Sequence, residues 1–249
     1  MDDKGLSDPT PANCTFTVSS PGTLVDRTVL VELFTTTWCR NCPNAEEALN
    51  QLIDDLGRAN ICIVAYHDTP ERDGLATSET ADRIDWYWGN SQFPGDADVW
   101  PTVVFDGLRV VQGAQSVEKA RSDYAFEVGL RQDKLSPMSL EVSGSLAAGA
   151  KVRARVRLEH DLSLESLEIH ALVIEDSVSY HGWFSDRFDF VVRDLLETHP
   201  VTLSTVGDTI SVEWSIELDA TWDVTHLDVI AFVQDVSTRE VVQAARLRK

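Results

Sequence analysis

The chain has 249 residues, of which 41 are acidic and 21 are Lys or Arg, so its formal net charge is −20. Hydrophobic residues make up 43% of the sequence, which is enough for a packed core, and the length fits one large domain or two ordinary ones. Because phosphate binding requires clustered Lys and Arg, this charge argues against a nucleic-acid partner, and it also disfavours an anionic membrane surface.

The N-terminal residues show no targeting or membrane-spanning pattern. Residues 1–23 are rich in Asp, Ser, Thr, Pro and Gly, and we predict a leader or linker there. They lack a positive region followed by an apolar core, so we expect that any export signal is absent from this sequence. No apolar run reaches about 18 residues, so no transmembrane segment is expected.

The first predicted strand leads directly into a pair of cysteines. Residues 29–34 form an apolar run interrupted by Glu32, which indicates a strand buried on both faces. Residues 35–37 break this run, and Cys39 and Cys42 follow. Apolar residues then recur at helical spacing until Gly57, which predicts a helix that ends there.

Two cysteines three residues apart at the start of a helix can close a disulfide. The helix N-terminus favours the thiolate form of a nearby cysteine, and a thiolate is the species that attacks disulfides. We predict that Cys39 is the attacking thiol and that Cys42 resolves the mixed disulfide. Arg40 adds positive charge that should lower the Cys39 pKa further, and Trp38 can shield the sulfur on one side.

Two other cysteines leave alternatives open. Cys14 and Cys62 can form a structural bridge, which would favour an oxidising compartment. Cys62 lies in an apolar run, so a plain buried thiol is an equally good interpretation.

The next predicted strand, at residues 60–66, ends at His67. Loops at the carboxyl ends of strands gather at one edge of a sheet, which would bring His67 to the same edge as Cys39. His67 is then a proton shuttle, a metal ligand, or a loop histidine that bonds locally, and we favour the local bond.

Residues 78–88 have helical spacing and open a stretch that is rich in aromatic side chains. These aromatics line a groove for an unfolded substrate, or they form core under a long loop, which is the commoner arrangement. They are Trp86, Tyr87, Trp88, Phe93 and Trp100.

A strand, a turn, a strand and a helix follow. Pro101 precedes a predicted strand at residues 102–105, and Asp106-Gly107 is a hairpin turn signal. The partner strand is expected at residues 108–112, and a helix capped by Ser116 is expected to end near residue 131.

Residues 24–131 resemble the thioredoxin-like superfamily, through the strand, Trp38-Cys39-Arg40-Asn41-Cys42, the helix, and the later proline before a strand. The resemblance implies that the Trp100–Pro101 bond is cis and faces the cysteines, so that the Trp100 backbone can pair with a substrate strand. It also implies Glu32 as the buried acid that accepts a proton, although a carboxylate facing water is the alternative. The implied substrate contacts are Trp38, Arg40, Trp100 and Thr102.

The second half of the chain has a different pattern. Residues 151–158 alternate basic and apolar side chains, which predicts a half-buried strand. Six further strands are expected at about residues 138–144, 167–175, 188–196, 209–218, 226–235 and 239–247. We therefore predict an α/β thioredoxin-like domain at residues 24–134, followed by an all-β immunoglobulin-like sandwich at residues 135–249. A long connection with Trp183 and Phe184 is expected to rest against the first domain.

This combination resembles a family of bacterial outer-membrane-associated surface proteins. The resemblance rests on residues 32–43, together with Val-Val-Arg-Asp-Leu at 191–195 and Val-Val-Gln-Ala-Ala at 241–245. It implies export, and hence a protein of the periplasm, the outer-membrane surface or the exterior.

Three functions fit these features. The first is an extracytoplasmic thiol–disulfide oxidoreductase that uses Cys39 and Cys42, needs no cofactor or metal, and acts on protein thiols with a redox partner protein. The second is copper handling by the two cysteines and His67. The third is a surface binding or structural module in which the disulfide only stabilises the fold.

Overall fold

The computed structural model describes residues 22–89, 93–147, 149–162, 164 and 166–247. In these residues it contains three helices and fourteen strands, so the protein is rich in β-structure. The first part contains β1 (Val29–Thr35), α1 (Cys42–Leu56), β2 (Ile61–His67), α2 (Ser78–Trp88), β3 (Thr102–Phe105), β4 (Arg109–Gln112) and α3 (Val117–Gln132).

The second part consists of strands. They are β5 (Met138–Ser145), β6 (Lys151–Leu158), β7 (Leu167–Glu175), β8 (Val178–Ser179), β9 (Arg187–Phe188), β10 (Val191–Leu195), β11 (His199–Pro200), β12 (Thr209–Ser215), β13 (Leu227–Asp235) and β14 (Val241–Arg246).

Local capping interactions fix where the predicted helices begin or end. The backbone N–H of Gly57 closes α1 by donating to Ile53, and Gly57 takes a positive φ of 79° that suits glycine. Thr77 caps α2 by accepting from the Thr80 N–H, and Ser116 caps α3 by accepting from the Lys119 N–H.

One sheet runs through both parts of the chain, in the order β14-β13-β7-β10-β2-β1-β3-β4, with β11 pairing beside β7. Strand β10 joins the parts because it runs parallel to β2 and antiparallel to β7. This strand pairing was not predicted, since nothing in the sequence of residues 191–195 specifies its partner.

The large sheet is covered on both faces. Strand β1 alternates between two apolar clusters, with Val31 facing α1 and α3 and Phe34 facing the cluster that holds α2 residues. The second cluster also contains Phe232 of β13 and Val241 of β14, so the two parts of the chain share a core.

A three-stranded sheet, β12-β6-β5, packs against the β7–β13 region. The inward residues of β6 are the apolar ones that the alternation predicts, and all four are buried: Val152, Ala154, Val156 and Leu158. This part is therefore a two-layer packing of β-sheets.

A buried ion-pair network links the two parts of the chain. Asp106 is fully buried at the β3–β4 turn and contacts the guanidinium groups of Arg27 and Arg131, at 3.3 and 2.9 Å. Both arginines also contact Glu240, between β13 and β14. Next to this turn, a Cβ on Gly107 would lie 1.9 Å from the Arg239 carbonyl oxygen, so close backbone approach requires glycine here.

Candidate functional site

Cys39 and Cys42 form a disulfide where β1 leads into α1. Cys42 is the first residue of α1, whereas Cys39 lies in the preceding turn and its N–H donates to the Thr36 carbonyl oxygen at 3.2 Å. The expectation that both cysteines lie at the start of the helix is therefore confirmed for Cys42 and wrong for Cys39. Pro43 explains the start of the helix, because its fixed φ suits the first turn.

A segment from the second part of the chain covers the disulfide. Residues 182–188 enclose a small crevice between themselves and both cysteines, with Phe184 and Phe188 in its wall. The Trp183 N–H donates to the Thr37 carbonyl oxygen at 2.9 Å, which fixes this segment over the loop before Cys39. Cys39 is 8% exposed as a result, and the expectation that Trp183 and Phe184 rest against the first part is confirmed.

Aromatic side chains lie around the disulfide. The Arg72 guanidinium lies 3.9 Å from the ring centroid of Trp38 and 5.2 Å from that of Trp183. Trp38 also meets Trp100 edge-on, with centroids 5.1 Å apart. Trp183 and Phe184 are 69% and 51% exposed, so apolar surface is open to a partner directly beside the cysteines.

The Trp100–Pro101 bond is cis, as the resemblance implies. Antiparallel pairing of β3 with β1 sets Thr102 opposite Phe34, which places residues 100–102 beside the end of β1. Thr102 is buried, and its hydroxyl donates to the Val99 carbonyl oxygen at 2.6 Å. Arg40 is exposed next to Cys39.

Glu32 lies on the sheet face opposite α1. It shares that face with Leu30 and Phe34, because side chains alternate along a strand. Glu32 is fully buried, so the alternative of a carboxylate facing water is wrong. Its Oε1 accepts from Arg83 Nε and Nη2 at 3.0 and 2.8 Å, and its Oε2 accepts from the Tyr87 hydroxyl.

This arrangement keeps a salt bridge inside the core. Burial alone would lower the pKa of Arg83, but the Glu32 carboxylate raises it, so the guanidinium stays charged. Burial raises the pKa of Tyr87 well above its ordinary value, so the phenol keeps its proton and donates a hydrogen bond to Glu32. Tyr87 and Phe93 are buried with ring centroids 4.6 Å apart, so these two of the five predicted aromatics belong to the core.

His67 makes the local bond that we favoured. Its Nδ1 lies 3.0 Å from Asp73 Oδ2, and both side chains are buried. Asp73 also accepts the Thr37 N–H at 2.6 Å, so it ties the end of β2 to the loop before Cys39. Burial alone would raise the pKa of Asp73, but hydrogen bonds from His67, Leu75 and Thr37 lower it.

The described residues contain no group of three or more His, Cys, Asp or Glu arranged to hold a metal ion. The copper hypothesis therefore gains no support from the placement of Cys39, Cys42 and His67. Within the same ranges, no helix is long and apolar enough to cross a membrane.

The remaining cysteines are not part of the site. Cys62 is a buried free thiol on β2, and burial raises its pKa to about 12. Cys14, its suggested partner, lies outside the residues that the structure describes.

Sequence reasoning missed one carboxyl group near the disulfide. Glu46 follows Cys42 by one helical turn and lines the same crevice as both cysteines. Its Oε1 accepts the Asp189 N–H at 3.0 Å. Burial raises the pKa of Glu46 to about 8; the Asp189 N–H opposes this rise, the carboxylates of Asp189 and Asp176 add to it, and Arg187 lowers it. The spacing from Cys42 is the signal that could have identified it.

Comparison with solved structures places the fold among known ones. HBP35 of Porphyromonas gingivalis matches 90% of this chain and 76% of its own, with 16% identity and a TM-score of 0.69. A protein from Agrobacterium tumefaciens matches 90% of this chain and 96% of its own, with 19% identity and a TM-score of 0.58. At these identities the likeness shows the fold alone.

A domain of the outer membrane lipoprotein Omp28 from Porphyromonas gingivalis matches 45% of this chain, with 14% identity and a TM-score of 0.31, which is too low to support an inference. No protein-family model matches the sequence. No curated protein sequence matches it either.

Proposed function

We propose that this protein is an extracytoplasmic thiol–disulfide oxidoreductase that acts on protein thiols through Cys39 and Cys42. The observation that carries the proposal is the disulfide itself, closed at the N-terminus of α1 and at the carboxyl end of β1. A helix N-terminus stabilises a thiolate, so this position favours cleavage and re-formation of the bond.

The surroundings of the disulfide suit a polypeptide substrate. Exposed Trp183 and Phe184 offer apolar contact area, and exposed Arg40 adds a positive charge beside Cys39. In this proposal, substrate side chains bind against these residues, Trp38 and Trp100, while the backbone around Pro101 lies beside the attacked sulfur. Thr102 supports this backbone from within, because its hydroxyl holds the Val99 carbonyl oxygen.

The proposal includes the finer fold assignment. We assign residues 24–134 to a thioredoxin-like domain, supported by the β1-α1-β2 unit followed by a hairpin and α3. We assign residues 135–249 to an immunoglobulin-like sandwich, supported by the two packed layers of strands. The shared sheet implies that the two units fold as one body rather than moving freely.

One observation favours a second function, that of a binding or structural module. The disulfide is nearly covered, with Cys39 and Cys42 only 8% and 4% exposed, and a buried disulfide that partners cannot reach only stabilises. The exposed aromatic pair would then be the functional surface. These two functions differ in one property, which is whether a thiol outside the protein can react with Cys39.

An exchange assay tests the proposal. Oxidised protein is mixed with a reduced peptide that carries two cysteines, and samples are quenched in acid, alkylated and weighed by mass spectrometry. We expect oxidised peptide to appear in step with reduced Cys39 and Cys42. If the oxidised protein leaves the reduced peptide unchanged over hours and the reduced protein leaves the oxidised peptide unchanged, the structural module is favoured instead.

A further inference from the structure

The disulfide and one carboxyl group share an enclosed space. The crevice beneath residues 182–188 is lined by Cys39, Cys42 and Glu46. Glu46 follows Cys42 at i+4, so both side chains lie on the same face of α1. In the described residues, this places a titratable group within the same small space as the sulfur that leaves when the disulfide opens.

Glu46 is held in position from the second part of the chain. The Asp189 N–H binds its Oε1, and Asp189 is itself fixed, because its Oδ2 accepts from Asn50 Nδ2 and its Oδ1 accepts from the Ser177 N–H. The charged groups facing Glu46 are Asp189, Asp176 and Arg187. Two carboxylates and burial therefore disfavour a negative charge on Glu46, and Arg187 only partly offsets them.

Glu32, the acid that the resemblance implies as the proton acceptor, is badly placed to exchange protons with Cys42. It lies on the opposite face of the sheet, where Arg83 and Tyr87 already bind both of its oxygens. A proton acceptor that is occupied by a guanidinium and a phenol cannot readily exchange protons with Cys42.

We propose that Glu46 is the proton donor and acceptor for Cys42 during thiol–disulfide exchange. This inference rests on the proposed exchange activity, and it assigns the acid–base role to a residue of α1 instead of to Glu32. Because burial raises the pKa of Glu46 to about 8, the group holds a proton at neutral pH and can release it near that pH.

The reaction balances as follows for a substrate dithiol. A substrate thiolate attacks Sγ of Cys39, the Cys39–Cys42 bond breaks, and the Cys42 thiolate takes the proton of Glu46. The second substrate thiol then loses its proton to water and attacks the mixed disulfide. This attack releases Cys39 as a thiolate. Cys39 and Glu46 each take a proton from water. The substrate pair is oxidised by two electrons and the protein disulfide is reduced by two; the reverse reaction uses Glu46 as the base.

The test follows the reduction of the disulfide by glutathione between pH 6 and pH 9, with acid quench, alkylation and mass spectrometry. Rates are divided by the fraction of glutathione present as thiolate. For the wild type, we expect the corrected rate to fall about tenfold between pH 6 and pH 9, because a group with a pKa of about 8 keeps its proton in almost all molecules at pH 6 and in about a tenth of them at pH 9. Glu46→Gln should already be slow at pH 6 and show no such fall, because its amide has no proton to give.

Glu47→Gln is the matched control, since Glu47 is the next residue on α1 and is exposed. We expect it to keep the wild-type pH profile. If Glu46→Gln also keeps the wild-type rate and profile, Glu46 is not the proton donor, although the exchange activity itself still stands. If wild-type protein does not react with glutathione at any pH, the proposed function fails, and the role of Glu46 fails with it.

Discussion

Cys39→Ser is expected to reduce thiol–disulfide exchange with a peptide to the rate seen without protein, because a serine hydroxyl does not form a disulfide. Cys42→Ser should behave differently. Its Cys39 can still attack a peptide disulfide, but no second thiol is present to resolve the product. We therefore expect Cys42→Ser to accumulate a stable mixed disulfide, visible by mass spectrometry as protein plus one peptide.

Cys62→Ala is the control for these variants. Cys62 is buried in β2, and its raised pKa of about 12 leaves almost no thiolate at neutral pH, so its loss should not change exchange. Trapping by Cys39→Ser rather than by Cys42→Ser would reverse the assignment of attacking and resolving cysteines. Equal activity in all three variants would show that the site does not exchange disulfides.

Arg83→Met should destabilise the folded protein by about 3–5 kcal/mol, because it leaves the Glu32 carboxylate buried without a cation. Glu32 is fully buried, and Arg83 is only 9% exposed. The variant also removes the bond from Arg83 Nη1 to the Gln234 side chain at 3.0 Å, which links α2 to β13. Denaturant-induced unfolding followed by circular dichroism measures the loss.

Arg153→Met is the matched control, because Arg153 forms an exposed pair with Glu213 on the three-stranded sheet. Exposed ion pairs contribute little, so we expect a change below about 1 kcal/mol. A similarly small change in Arg83→Met would mean that Glu32 is not isolated in a dry core. The combined variant Glu32→Gln/Arg83→Met should recover part of the lost stability, since no buried charge then remains.

Local patterns in the sequence were sufficient to predict most elements. Two elements begin and end at the predicted residues. The helix at residues 78–88 is bounded by a side-chain cap, and the strand at residues 151–158 is defined by strict alternation of basic and apolar residues. The pairing of β10 with β2 could not be predicted in this way. Strand partners depend on contacts between distant residues, and an apolar strand such as β10 fits several neighbours equally well.

The site shows the same division between local and distant information. Cys39, Cys42 and the cis bond before Pro101 follow from short motifs. The covering segment with Phe184 and the Asp189 bond to Glu46 arise from residues more than 130 positions away in the chain. The role that the resemblance implies for Glu32 depends on which face of β1 carries its side chain, because neighbouring positions of a strand face opposite sides of the sheet.

The most direct test of the central claim is the reduction potential of the Cys39–Cys42 pair, measured by mass spectrometry after equilibration in glutathione buffers of graded poise. An exchanging disulfide should have a potential between about −270 and −120 mV, the range of thioredoxin-like oxidoreductases. A value near the upper limit would indicate an oxidant, and a value near the lower limit would indicate a reductant. A pair that stays oxidised below about −300 mV would be a structural disulfide and would contradict the account.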